Sequence, residues 1–191
     1  MKKKIVQLLS FWLSLPNKLF PENWKLKYFL SLITLILIGL FGASTSINIE
    51  EQLEIKETID SLLGETPNVN FIFFNNIRIA LLIMLPVIGM IIAIMSIYVT
   101  GVAFSVIGNE VNISGSELYI LTAMMPFFWL EFLSYAASFM YAFYISKSII
   151  KRNMKIHEII KPTILVIISI IILLYIGAIV EMYFIENYES L

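Results

Sequence analysis

Three charged side chains and one amide pair interrupt the apolar stretches of this 191-residue chain: Arg78, Glu131, Glu181 and Asn75-Asn76. Each type has a definite chemistry in that setting. A carboxylate pairs with a guanidinium, holds a proton or binds a cation, and an asparagine amide hydrogen-bonds across helices. Arg78 is the only charge between Glu65 and Glu110, and it lies in the 38-residue apolar run Phe71 to Gly108. An ionised side chain deep in lipid costs roughly 2.5–3.5 kcal/mol on insertion scales, so it is rarely there without a partner or a task. These residues form the candidate intramembrane polar cluster.

Depth suggests how they pair. Arg78 falls about seven residues, roughly 10 Å, below the start of its span, and Glu181 lies at a similar depth near the end of the last span. Arg78–Glu181 is therefore the expected ion pair, and removing one partner should cost about 3–5 kcal/mol. Glu131 sits about 14 residues from either end of its apolar segment, with no cation at its level. Three arrangements are open for it. Pro126 breaks the helix and lifts Glu131 toward Arg78, the carboxyl is protonated by burial, or it lines a hydrated cavity and binds a proton or cation.

Other chemistries find little support. Cysteine is absent, which excludes disulfides, thiol catalysis and thiolate metal sites. The single histidine, His157, sits in a basic segment with no second histidine near it and is expected to be a solvated loop residue. No serine–histidine, metal-ligand or phosphate-loop constellation occurs, so neither an enzyme nor a cofactor or metal is expected, and no nucleic-acid partner. A distant third reading is an intramembrane enzyme acting on lipid or envelope precursors, which would need a second polar group at the depth of Glu131.

The elements that position these groups are membrane helices. The chain is 59% hydrophobic with a mean hydropathy of +0.88, too apolar for a soluble domain of this length. The expected fold is all-α: one polytopic transmembrane helical bundle with about five spans, an N-terminal interfacial helix and an outer amphipathic helix. Residues 1–27 carry six lysines against Glu22 and are cytoplasmic by the positive-inside rule. Their apolar stretch Ile5–Leu15 lacks a small-x-small cleavage site, so it reads as a helix lying in the membrane surface.

The first span is 28–45. Residues 46–70 then hold Glu50, Glu51, Glu54, Glu57, Asp60 and Glu65 against Lys56. Asn48 followed by Glu51 resembles a capping box, and Ile55, Ile59, Leu62 and Leu63 share one helical face. This outer acidic helix is expected to rest on the membrane surface, or to dock a partner through Glu50, Glu51, Glu54, Glu57 and Asp60. The run from Phe71 would be about 57 Å long as one helix, so Pro86 and Gly89 are expected to divide it into spans 71–87 and 89–108. An alternative treats 71–108 as one broken pass and 117–146 as a hairpin. Residues 109–116 are an outer loop whose Asn112-Ile113-Ser114 is a glycosylation sequon.

Span 117–146 carries Pro126 and Glu131, the basic loop 147–161 is cytoplasmic, span 162–184 follows, and the tail 185–191 is outside. The N-terminus is thus cytoplasmic and the C-terminus external, in the cell membrane. Gly101 and Ser105, with Gly108 beyond, predict a close helix contact. Tyr141 and Tyr144 predict an interfacial belt, and Met84, Met90, Met95, Met124 and Met125 core filling.

Three local patterns carry a family resemblance. Phe71-Ile72-Phe73-Phe74-Asn75-Asn76-Ile77-Arg78-Ile79-Ala80 resembles the Asn-Asn-x-Arg opening of the second span in the stage II sporulation protein M family. Pro126-Phe127-Phe128-Trp129-Leu130-Glu131 is similar to that family's Pro-His-Gly-x-x-Glu, with Phe127 and Phe128 in place of His and Gly. Gly177-Ala178-Ile179-Val180-Glu181 resembles the family's glutamate near the end of its last span. The likeness covers about residues 28–185. The missing His and Gly set the chain apart from the sporulation proteins themselves, and its Ile- and Tyr-rich, Cys-free composition suggests a divergent, archaeal member. The resemblance implies a non-enzymatic integral membrane subunit or scaffold in a multi-protein assembly, embedded in the lipid bilayer among other membrane proteins, with a homodimer as one candidate arrangement. The alternative is a transporter or permease-like component with a polar cavity around Arg78 and Glu131.

Overall fold

The computed structural model describes residues 23–63, 68–152 and 156–188. The N-terminal segment expected to lie in the membrane surface, the Gly64–Pro67 stop and the end of the tail fall outside them. Seven helices and no strands occur among the described residues: α1 (Trp24–Ala43), α2 (Ile49–Leu63), α3 (Val69–Ile83), α4 (Ile88–Glu110), α5 (Gly115–Ala123), α6 (Pro126–Ile150) and α7 (Ile156–Tyr188).

Length and composition make three of these helices, α1, α4 and α7, long and apolar enough to cross a membrane. A fourth candidate is the pair α5–α6, bent by 91° at its break. Helix α3 is apolar but has only 15 residues, about 22 Å of helix against a hydrocarbon core of about 30 Å. The bundle's outside is correspondingly apolar. Ile164, Ile168, Ile172 and Ile176 form an exposed stripe at four-residue spacing along α7, where a soluble helix would carry charge.

Two tight seams organise the bundle. In the first, α1 packs along α4. A Cβ on Gly101 would lie 2.2 Å from the Gly39 carbonyl oxygen, and one on Gly42 would lie 2.3 Å from the Tyr98 carbonyl oxygen. Gly39 and Ala43 on α1 face Gly101 on α4, a small-residue pairing that brings the two backbones together. Ser105 Oγ donates to the Thr45 carbonyl at 2.7 Å and closes the top of the seam. The close contact expected at Gly101 and Ser105 is present. Its complement, Gly39 and Gly42, had no mark in the sequence beyond being small.

Gly39 also makes room for Tyr119 of α5, whose hydroxyl donates to the Ile36 carbonyl at 3.1 Å. The Tyr119 ring meets Phe104 and Phe128 edge-on, and Phe128 stacks on Phe132 at 4.2 Å. This aromatic column is the centre of the core.

The second seam joins α6 to α7 and α3. Helix α3 starts at the Glu131 end of α6, where Asn76 meets Glu131, and finishes at the other end, where the Val87 N–H donates to Ser146 Oγ at 2.7 Å. Helix α4 returns, and its last residue, Glu110, bonds Lys56 of α2 at 2.5 Å. The run 71–108 is therefore two helices that reverse at Met84–Val87. Pro86 leaves an N–H missing there, and Val87 takes φ 64° and ψ −61° in a γ-turn closed by Ile88 N–H on the Pro86 carbonyl at 2.7 Å.

Three local expectations change. The basic loop is shorter than 147–161, because α6 runs to Ile150 and α7 starts at Ile156, taking in His157. Tyr141 is buried and hydrogen-bonded to Thr163, so it belongs to the α6–α7 core and not to an interfacial belt. Met84 is in the core, whereas Met95 and Met124 are exposed on the apolar outside. At the start of α2, Asn48 Oδ1 accepts from Glu51 N–H at 2.9 Å. A complete capping box lies instead at the start of α5, where Ser114 and Glu117 bond each other's backbone. The spacing Ser114-x-x-Glu117 is the sequence signature of that box.

Candidate functional site

The site is built by a helix break. Pro126 has no N–H to give and forces Met125 into an extended conformation, φ −82° and ψ 141°, so α5 stops and α6 starts afresh. Trp129 Nε1 reaches back 2.9 Å to the Ala123 carbonyl and satisfies an acceptor that the break exposes. Glu131 consequently lies in the second turn of α6, about 7.5 Å from its start, and not at the middle of a long helix. Of the three arrangements open for it, the Pro126 break is present, but it lifts Glu131 toward Asn76 and Glu181 and not toward Arg78.

Three elements converge on the Glu131 carboxyl. Asn76, 9% exposed on α3, donates Nδ2–H to Glu131 Oε1 at 2.6 Å. Glu181 of α7 comes within hydrogen-bonding range of Glu131. Gly177, one turn before Glu181, lies over α6, where an added Cβ would sit 3.9 Å from Glu131 Cγ. Tyr135, one turn along α6 from Glu131, is buried on the same side of the helix. Glu181 Oε2 is buried with no donor to it.

Arg78 and Asn75 are elsewhere. The expected Arg78–Glu181 pair does not form, and Arg78 has no ion-pair partner among the described residues. The reason is helical geometry. Ile72, Asn76, Ala80 and Ile83 make the buried face of α3, and Arg78, two residues beyond Asn76, is rotated from it by about 200°. Asn75 and Arg78, three residues apart, share the opposite, exposed face. That buried stripe was present in the sequence and separates the two asparagines. The meeting of Glu131 with Glu181 had no local signal.

Arg78 and Asn75 instead line an open groove of about 1680 Å³ between α2, α3 and α4. Its walls are mainly apolar, among them Phe74, Leu81 and Val99. Glu51 and Glu54 of α2, two of the residues expected to form a partner surface, also line it. Glu50 and Glu57 are exposed on α2, and the side chain of Asp60 lies outside the described residues.

Chemically, the interior cluster can hold a proton and tie three helices together, and the groove offers one cation inside an apolar wall. No group of three or more His, Asp or Glu side chains placed to hold a metal occurs among the described residues. Comparison with known proteins finds no matching family model, no matching curated protein and no matching solved structure.

Proposed function

We propose that the chain is a non-enzymatic membrane subunit that recruits another membrane protein through the α2–α3–α4 groove. The observation that carries this reading is Arg78, a cation exposed in an apolar groove without an ion-pair partner among the described residues. A charge left in that position favours an occupant that brings the opposite one. Arg78 lies nine residues into α3, about 13 Å from its start, well below the level of lipid phosphates. The occupant that fits is a transmembrane helix of a second protein bearing a carboxylate at that depth. Glu51 and Glu54 at the α2 side favour a basic residue on the same helix nearer the surface.

In this reading α3 crosses as a short fifth span. The bundle passes the cell membrane five times, N-terminus cytoplasmic and C-terminus outside, with α2 on the outer surface. The chain is then a divergent relative of the stage II sporulation protein M family. What supports that relation is that residues from all three shared patterns, Asn76, Glu131, Gly177 and Glu181, pack around one point. The permease reading has less support, because Arg78 and Asn76, which holds Glu131, occupy opposite faces of α3, and Arg78 and Glu131 do not line one cavity.

The test is photo-crosslinking in native membranes, with p-benzoylphenylalanine at Val99 in the groove and, as control, at Ile172 on the exposed α7 stripe. The expected result is one membrane protein captured from Val99 and not from Ile172. Its captured helix carries an acidic residue, and Arg78→Leu abolishes capture while the purified variant melts within about 1 °C of the parent, as an exposed substitution should. Equal capture from both positions, or capture that survives Arg78→Leu, would overturn the proposal.

A further inference from the structure

The groove accounts for Arg78 but leaves the carboxyl pair between α6 and α7 without a task. Two carboxyl groups that close in hydrogen-bonding range are not a stable pair of anions in apolar surroundings, and a hydrogen bond between them requires a proton on one. Among the described residues, the groups around the pair supply no compensating cation. From α3 the pair faces the Asn76 amide, while Arg78 points into the groove. From α6 it faces Tyr135, 5% exposed, whose hydroxyl has no hydrogen-bond partner among the described residues. From α1, Tyr28 is committed to the Leu133 carbonyl at 2.9 Å. On α5, Tyr119 is committed to Ile36. On α7, Glu186 is exposed beyond the pair. Lys147, the lysine of α6, is at its opposite end. The Asn76–Glu131 hydrogen bond, Gly177 laid over Glu131 one turn before Glu181, a buried oxygen of Glu181 with no donor and a buried tyrosine one turn along α6 thus mark one polar point inside the bundle.

We infer that Glu131 and Glu181 form a proton-binding site in which a single exchangeable proton bridges the two carboxyls, with Asn76 as the donor that stabilises the remaining negative charge and the uncommitted Tyr135 hydroxyl, one helical turn from Glu131, as a second donor the site can recruit. Proton uptake forms one O–H bond on one carboxyl oxygen and cancels one of two negative charges; release returns the proton to water and leaves two carboxylates that repel α6 from α7. The site is independent of the groove and stands or falls apart from the recruitment reading.

Infrared spectroscopy of the purified full chain in lipid tests this directly. At neutral pH the parent should show the carbonyl stretch of a protonated carboxyl, displaced on transfer to deuterium oxide because the proton exchanges. The band should disappear in the E131Q/E181Q double variant. Y135F, which keeps both acids, should move the band without removing it, and so gives the assignment even if the double variant does not fold. Absence of the band in the parent at neutral pH overturns the proposal, as does a band untouched by Y135F and by the double substitution. Loss of the band on adding sodium or calcium ions would also overturn it, in favour of a cation site.

Discussion

The bundle's two tight seams solve the same problem by opposite means. Along α1–α4 the backbones are nearly in contact, and glycines leave no space for even a methyl group. Along α6–α7 the glycine is not sterically required: a Cβ on Gly177 would meet Leu130 Cβ at 3.4 Å, an ordinary van der Waals distance. There the fit is made by polar groups, Asn76 on Glu131 and Glu131 on Glu181. Association in lipid has no hydrophobic drive between helices, so close packing and polar contacts are what remain. One seam is thus specified by shape and the other by chemistry. The two should respond to different substitutions.

The largest effect is expected where shape rules. Gly101→Ala places a methyl group against backbone that cannot rotate away, and overpacking of this kind costs about 1–3 kcal/mol. The thermal midpoint of the purified protein should fall by several degrees, and Gly101→Leu should abolish the monodisperse species on size exclusion. Survival of Gly101→Leu as a folded monomer would mean that α1 and α4 are not tightly joined.

Next comes the polar seam. Asn76→Leu keeps the volume of the side chain but leaves the Glu131 carboxyl without its amide donor, which should cost about 1–3 kcal/mol. Asn76→Gln is expected to recover part of it. Equal melting of Asn76→Leu and the parent would show that the 2.6 Å hydrogen bond contributes nothing. The smallest effect sharpens the contrast. Gly177→Ala should change stability by less than about 0.5 kcal/mol, since the added methyl group meets ordinary contacts. A loss as large as that of Gly101→Ala would make both seams steric and erase the distinction.

The two seams also differ in how far the sequence revealed them. Prolines and small residues act locally, so the reversal at Pro86, the break before Pro126 and the close contact at Gly101 and Ser105 were readable from residue type. The all-helical class and the membrane-length helices followed from composition. What was not readable is pairing between distant helices. Glu181 matched Arg78 in depth, and depth alone selected the wrong partner, because it ignores the face of α3 on which each residue lies. The buried stripe Ile72, Asn76, Ala80, Ile83 carries that information. The depth of Glu131 was misjudged for a related reason: it was measured from the ends of the apolar segment, whereas a helix restarts at Pro126. The i, i+4 spacing places Tyr135 beside Glu131, but nothing local announces Glu181, which α7 brings to the same point.

The reversal between α3 and α4 bears on the order in which the chain assembles. Its positive-φ residue is a valine, a conformation that β-branched side chains resist. The Val87 N–H finds its acceptor on Ser146, 59 positions later in synthesis and near the far end of α6. As the ribosome delivers α3 and α4, that acceptor does not yet exist. The turn is therefore unfastened until α6 packs against it, and the Val87 amide gains this partner only then. Ser146 acts as a late latch, making the first hairpin's final geometry a record of the completed bundle.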